Sequence, residues 1–368
     1  MNPRLTRALL AVSAPVLALV TAFVITSLVL AAAGDPVMDV WKQILSWPEG
    51  RNMANIINNA SVLYLSGLAA AVGFRMNLFN IGVDGQYRVA AFTAAVVAGE
   101  AWLPGYLNTA LAIVCAMAVG ALWAGIAGVL RATRGVSEVI STIMLNAIAT
   151  GLVAYLLRKA TVRVEGSNSI GTKKIPEESW IPNISIGDGP GQEVYGFVVL
   201  AAVVGFLYWF VLNKTVFGFN LRATGSSTTA ATASGINITK MLVVAMLISG
   251  AVAGLVGLPI LFGESHNYGS TFQSGLGFAG IAIALLGRNN AIGIAIGAVL
   301  FAFLNEQSNP LQILVHVSPD IVAITQGVIV LTVVISYELV RRYGHRIEQQ
   351  AVARALERER TEREEVPA

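Results

Sequence analysis

The sequence predicts an all-α, polytopic integral membrane protein with about ten transmembrane helices, and three observations carry that prediction. Of its 368 residues 55% are hydrophobic and only 12% are charged, with a mean hydropathy of +0.68. A soluble domain carries about 25% charged residues. Apolar runs close to the roughly 20 residues needed to cross a hydrocarbon core recur from end to end. Lysine and arginine gather in alternate connections, as orientation in a bilayer requires.

The same composition excludes several classes. A net charge of +3, with no basic patch carrying interleaved aromatics, gives no footing for nucleic acid. The single cysteine, Cys115, lies inside an apolar run, so neither a disulfide framework nor a thiolate metal site is expected. His266, His316 and His345 are scattered along the chain. No G-x-x-x-x-G-K-[ST] motif occurs, so ATP hydrolysis through a P-loop is not expected here. Few ionisable residues fall within the apolar runs, which leaves a proton relay without members. Solute pumping by this chain would then need an energy-supplying partner.

In chain order, Arg4 and Arg7 precede a first apolar run over 8–33, too long for a signal-peptide core. Residues 35–50 hold Trp41 and Trp47 among charges, a composition suited to the membrane interface. The second run, 53–74, contains Asn55, Asn58 and Asn59 on one helical face, because residues three and four apart are neighbours there. Two roles fit that face: hydrogen bonding between helices, or lining a polar pathway.

Residues 73–86 interrupt the hydrophobicity with Asn77, Asn80, Asp84 and Gln86. The stretch reads either as a cytoplasmic turn or as irregular backbone lining a cavity within the membrane. A third run follows over 89–102 and a fourth over 107–130. The fifth opens near Glu138, a carboxylate suited to the positive end of a helix dipole, and carries Asn146 towards mid-membrane. Residues 159–193 form the longest hydrophilic connection, expected on the outer face. The sixth and seventh runs are 194–212 and 241–262, and the latter contains the small-residue spacing Gly250-xxx-Gly254.

A second irregular stretch, 263–274, includes Gln273. Gly275 to Gly280 matches G-x-G-x-x-G, but no strand precedes it, so the match is read as accidental. The ninth run, 292–304, ends in Asn305, Glu306 and Gln307, and the tenth covers 321–339. Residues 1–340 are thus read as one membrane domain and 341–368 as a charged cytoplasmic tail. That tail holds Arg358–Glu362 and Glu359–Arg363 at helical spacing.

With the N-terminus inside, 17 of the 24 Lys and Arg residues face the cytoplasm. Spans two to five and seven to ten then run in opposite senses, each set beginning near a broken stretch, as in two inverted halves around a pathway.

Between spans six and seven lies 213–240, NKTVFGFNLRATGSSTTAATASGINITK, with Lys214, Arg222 and Lys240 and no acid. It reads as a solvated cytoplasmic loop or as a short helix built of small residues for close docking.

Its FGFNLRATG, followed by AAxxSGINxxK and SGAxAGLxG, resembles the permease subunit of bacterial ATP-binding-cassette importers, in the branch carrying sugars, branched-chain amino acids and nucleosides. NIGVDGQ (80–86) resembles the NIGxEGQ signature of the nucleoside type, with Asp84 where Glu is usual. GVSEVISTIMLN (135–146) and LGFAGIAIALLGRNNA (276–291) are similar to further family runs, the latter with Ala291 where proline is common. A weaker bend there is expected.

The resemblance implies that 213–240 is the coupling element, with Arg222, Ala223, Gly225, Ala230, Ala231, Ser234, Gly235 and Ile236 against a cytoplasmic ATPase subunit that binds and hydrolyses the ATP. It implies a second permease subunit, similar or identical, and an external substrate-binding lipoprotein in the plasma membrane of a bacterium. The chain itself is expected to have no catalytic residue, cofactor or metal. Asn55, Asn58, Asn59, Asn77, Asn80, Asp84, Gln86, Asn146, Gln273 and Asn305 are the expected pathway residues, suited to a neutral polar solute such as a nucleoside. A ribose-type sugar permease and an ion-coupled secondary transporter are the alternatives.

Overall fold

A computed structural model describes residues 3–163, 170–270, 272–336, 339 and 342. Among them six helical segments are long and apolar enough to cross a membrane: Gly50–Phe74, Tyr106–Arg134, Glu138–Ala160, Phe197–Lys214, Ile238–Ser265 and Ala291–Val315. Shorter apolar helices run over Leu19–Ala33, Leu276–Leu286 and Asp320–Ser336. All-α, multi-pass architecture is therefore the structure of this chain. The tail expected from 341 onward lies, apart from Arg342, outside the described residues.

The chain divides into two compact units, one formed by 46–307 and one by 1–45 with 308–368. In the second unit α1 (Pro3–Ala33) is followed by α2 (Val37–Ile44), whose Trp41 donates from Nε1 to Ser27 Oγ at 2.9 Å and tilts against Phe23. Such an amphipathic ring, apolar in body and polar at one edge, suits the interface expected of this stretch.

The larger unit is built around α3 (Gly50–Phe74), most of whose length is buried. Packed on α3 are α7 (Phe197–Lys214), α10 (Ile238–Ala253), the single-turn α11 (Leu258–Ile260) and α12 (Leu276–Leu286). Beyond them α4 (Val83–Glu100), α5 (Tyr106–Arg134) and α6 (Glu138–Ala160) complete the bundle. Helices α5, α6 and α7 bury only about a third of their apolar stretches, leaving apolar faces for lipid or protein.

Helices α5 and α10 meet backbone to backbone. A Cβ on Gly120 would strike the Gly250 carbonyl, one on Gly250 the Gly120 carbonyl, and one on Gly254 the Ala116 carbonyl. Small side chains permit that approach, and in lipid the contact is held by van der Waals packing.

Several boundaries differ from those the sequence suggests. The third helix begins at Val83 rather than at 89, because Asn80, Asp84 and Gln86 find partners inside the protein and need not stay in a solvated loop. Arg88 stands in the second turn of this helix, paired with Asp84. The ninth helix, α13 (Ala291–Pro310), does not stop at 304 but continues through Asn305, Glu306 and Gln307 into a π-turn at Leu311–Val315. Between α12 and α13 the chain reverses through Arg288 and Asn289, both left-handed, and Asn290 caps α13 by accepting from Ile292 N at 3.0 Å. The turn is thus closed by two left-handed residues and a cap, without the proline.

The long hydrophilic connection between α6 and α7 carries two short antiparallel strand pairs, Val162–Arg163 with Ile170–Gly171 and Ile184–Ser185 with Glu193–Val194. It docks on the second irregular stretch: Thr172 N donates to Tyr268 O at 3.0 Å and Ile175 N to His266 O at 2.8 Å.

Candidate translocation site

Asn55, Asn58 and Asn59 occupy the first turns of α3, and the face they share opens on a cavity of about 230 Å³. Val62 and Ile260 supply apolar wall, and Gln273 reaches in from the irregular stretch before α12. Tyr195, Glu264 and Glu306 complete the lining.

The three asparagines differ in commitment. Asn58 is buried and fully engaged: its Nδ2 donates to Glu193 O at 3.0 Å and its Oδ1 accepts from Tyr195 N at 2.8 Å. It fastens the end of the α6–α7 connection to α3. Asn55 Nδ2 donates to Glu306 Oε1 at 3.0 Å. Asn59 is half-buried and its side chain makes no hydrogen bond among the described residues. An amide that can both donate and accept, left without a partner at a cavity wall, is free to meet a solute.

Tyr195 lies at the end of the α6–α7 connection. Its ring covers Gly263, where a Cβ would strike it, and its hydroxyl donates to Glu264 Oε2 at 2.9 Å. Burial and the adjacent Glu264 push the Tyr195 phenol above its ordinary pKa, so it stays protonated and able to donate. On the other side of this contact, a larger cleft of about 640 Å³ is lined by Trp180, Asn183, Glu193, Phe262 and His266, among others.

Asn80, Asp84, Gln86 and Asn146 do not line that cavity. They form a buried knot where the two interrupted stretches meet. Asn80 Nδ2 donates to Gln86 Oε1 (3.0 Å) and Ser249 Oγ (2.8 Å), while its Oδ1 accepts from Gln86 Nε2 (2.8 Å) and Gly82 N (3.0 Å). Ser249 Oγ in turn donates to Ala69 O at 2.6 Å on α3. Asn146 Nδ2 donates to Ile81 O at 2.9 Å, and its Oδ1 accepts from Gly85 N at 2.8 Å. Asp84 Oδ1 accepts from Gly275 N (2.9 Å) and Gly277 N (3.4 Å), at the start of α12. Its Oδ2 lies 3.2 Å from Arg88 Nε. Such a satisfied network fixes backbone that could not survive in lipid.

The remaining two expected pathway residues lie elsewhere. Asn77 is exposed in the α3–α4 turn with φ of 59°, a conformation asparagine tolerates well. Asn305 neighbours Glu306 on α13 but is not part of the cavity wall. Sequence reading missed Tyr195, Glu264 and Glu306. All three stand at the ends of apolar runs, where a charge or a phenol looks like an ordinary interfacial residue.

The segment 213–240 folds into two short helices, α8 (Val216–Ser226) and α9 (Thr228–Ala233). Each start is capped by a side chain. Thr215 Oγ1 accepts from Gly218 N at 3.1 Å, Ser227 Oγ from Ala230 N at 3.2 Å, and Asn237 Oδ1 from Lys240 N at 2.9 Å at the head of α10. Gly235, with φ of 80°, closes α9. Ala230, Ser234 and Gly235 are exposed, whereas Arg222, Ala223, Gly225 and Ile236 are half-buried. Ala231, expected to face a partner, is 2% exposed and packs within the chain itself. A Cβ on Gly225 would meet Arg75 O at 2.5 Å, so α8 presses on the α3–α4 turn. Arg75 in turn donates from Nε (2.9 Å) and Nη2 (2.6 Å) to Asn289 O, in the α12–α13 reversal.

A helical bundle with broken, internally satisfied helices around a polar cavity defines a membrane permease. Residues 52–335 match the branched-chain amino acid transport system / permease component family, and the chain belongs to it. Among characterised proteins it is 33% identical over 339 residues to the guanosine ABC transporter permease protein NupP of Bacillus subtilis, covering 88% of this chain and 93% of that one. It is 29% identical to the glucose ABC transporter permease protein TsgB13 of Haloferax volcanii, over 93% of this chain and 92% of the relative. It is 28% identical to the nucleoside ABC transporter permease protein NupB of Lactococcus lactis, over 88% and 90% of the two chains.

Proposed function

We propose that this chain is the membrane-spanning subunit of an ATP-driven importer that carries nucleosides across the plasma membrane. The observation that carries the reading is the cavity at the outer end of α3: amides, a phenol and two carboxylates, with no Lys, Arg or His in its wall. A wall without a cation disfavours an anionic solute, and its amides and carboxylates suit an uncharged one rich in hydrogen-bond donors. Two nucleoside-type relatives at 33% and 28% identity support the same choice.

An ATPase subunit docks on α8 and α9 from the cytoplasm, where both termini also lie. A second permease subunit, similar or identical, completes the membrane portion, and an external binding lipoprotein delivers solute to the outer face. ATP is bound and hydrolysed by the partner, not by this chain. Asn55, Asn58, Asn59 and Gln273 belong to the solute pathway, while Asn80, Asp84, Gln86 and Asn146 brace it.

A sugar is the second reading, favoured by the glucose permease among the relatives. Glucose and ribonucleosides share vicinal hydroxyls, so the same wall would serve either. Uptake of labelled adenosine, uridine, ribose and glucose in a strain lacking the gene separates the two. Loss of nucleoside uptake, restored by the gene, is the expected result; loss of sugar uptake alone would overturn the nucleoside reading.

A further inference from the structure

Two carboxylates stand in the cavity wall, and neither is consumed by its neighbours. Glu264 accepts from the Tyr195 hydroxyl through Oε2 and Glu306 from the Asn55 amide through Oε1. The second oxygen of each has no partner among the described residues. No cation lines the cavity to take those oxygens. Ionised carboxylates only accept, whereas Asn59 and Gln273 beside them both donate and accept. The wall therefore combines adaptable amides with two anionic acceptors that call for donors from the solute.

We propose that Glu264 and Glu306 are specificity-determining residues that read the vicinal 2′- and 3′-hydroxyls of a ribonucleoside. Selection then takes place in the permease as well as in the external binding protein. This rests on the nucleoside reading and deepens it. A site built to hydrogen-bond a hydroxyl discriminates strongly against an analogue that lacks it, because its own acceptors are then left unpaired. Hydrogen bonds to a charged acceptor are roughly twice as strong as neutral ones, so removing the charge weakens the discrimination while keeping the shape.

The test compares uptake of labelled uridine and 2′,3′-dideoxyuridine in a strain lacking the native gene. That strain carries wild type, Glu264→Gln, Glu306→Gln or the double variant, with the ATPase and binding protein unchanged. Because the delivering protein is the same throughout, a change in the uridine-to-dideoxyuridine ratio reports the permease. The ratio is expected to fall about tenfold in the double variant, the scale of a weakened charge-assisted bond at two positions. Glu306→Asp, which keeps the charge, should recover part of it.

Glutamine is near-isosteric, Glu264 is exposed and Glu306 half-buried, so assembly should survive, and immunoblotting of membranes checks this. Should the double variant fail to assemble, Glu264→Gln alone still gives the ratio. An unchanged ratio at full uridine uptake overturns the inference and leaves the nucleoside reading standing. Absence of any nucleoside uptake by wild type removes both.

Discussion

The carboxylate of Asp84 accepts the backbone N–H of Gly275 at 2.9 Å, joining the first turn of α4 to the residue that precedes α12 across 191 residues of sequence. The same side chain faces Arg88 at 3.2 Å, and their side chains are 8% and 20% exposed. Removing one partner of such a pair strands the other charge. Asp84→Leu is expected to destabilise the protein by about 3 kcal/mol. Thermal unfolding in mild detergent measures this, and Asp84→Asn, which keeps an acceptor for Gly275, should recover about half of the loss.

Asn59 and Asn80 should separate transport from folding. Asn80 makes four hydrogen bonds at zero exposure, so Asn80→Leu leaves Gln86, Gly82 and Ser249 unpaired and should cost about 2 kcal/mol. Its uptake defect will follow its loss from the membrane. Asn59→Leu removes no internal bond, so abundance should stay at the wild-type level while uptake falls. Quantitative immunoblotting alongside uptake distinguishes the two; equal abundance of both variants would contradict the assignment.

The glycine seam between α5 and α10 gives a steric prediction. Gly250→Val puts branched carbons where only the Gly120 carbonyl and the Ala124 methyl have room. Overpacking of this kind costs about 1–3 kcal/mol. Gly151→Ala, where nothing lies within 4 Å of the added carbon, is the control and should leave the melting temperature unchanged.

Coupling to the ATPase is best tested at Ala230, which is exposed, rather than at Ala231, which is 2% exposed. Trp at Ala231 would unseat α9 from its own chain and confuse unfolding with uncoupling. Ala230→Trp leaves that packing alone. ATP hydrolysis and uptake measured together in proteoliposomes of the full complex should show hydrolysis persisting while uptake drops. Unchanged uptake with the variant assembled counts against docking at this face.

A pH effect is expected where the long α6–α7 connection meets His266. The His266 ring stacks on Trp180 with centroids 3.6 Å apart, and Lys174 Nζ stands 5.1 Å from the Trp180 ring. Burial foremost, then Lys174, hold the imidazole below its ordinary pKa, against a smaller opposing pull from Glu177. The unfolded chain thus takes up a proton before the folded one does. Stability from this group is present above about pH 6.5 and declines as the pH falls below it. Hydrogen exchange over 170–180 should quicken in that direction, and His266→Gln should flatten the response.

Much of the architecture was legible because membrane helices announce themselves by apolar length, as α5, α6, α7 and α10 did. The asparagine face of α3 was legible from spacing alone. What sequence could not give was the division of labour among polar residues. Asn58 and Asn80 look alike in a string, yet one pins the α6–α7 connection and the other knots two broken helices. That difference arises from contacts 135 and 169 residues away in sequence, with Glu193 and Ser249. Start points also shifted, as at Val83, because an internally satisfied Asp84 and Gln86 behave as helix rather than loop.

The contact of Gly225 with Arg75 has a mechanical meaning. Arg75 grips the carbonyl of Asn289, and Tyr208 of α7 donates to that same oxygen at 2.8 Å. One short lever is thus geared to two reversals of the chain. A displacement of α8 would therefore bear on the α3–α4 and α12–α13 turns together.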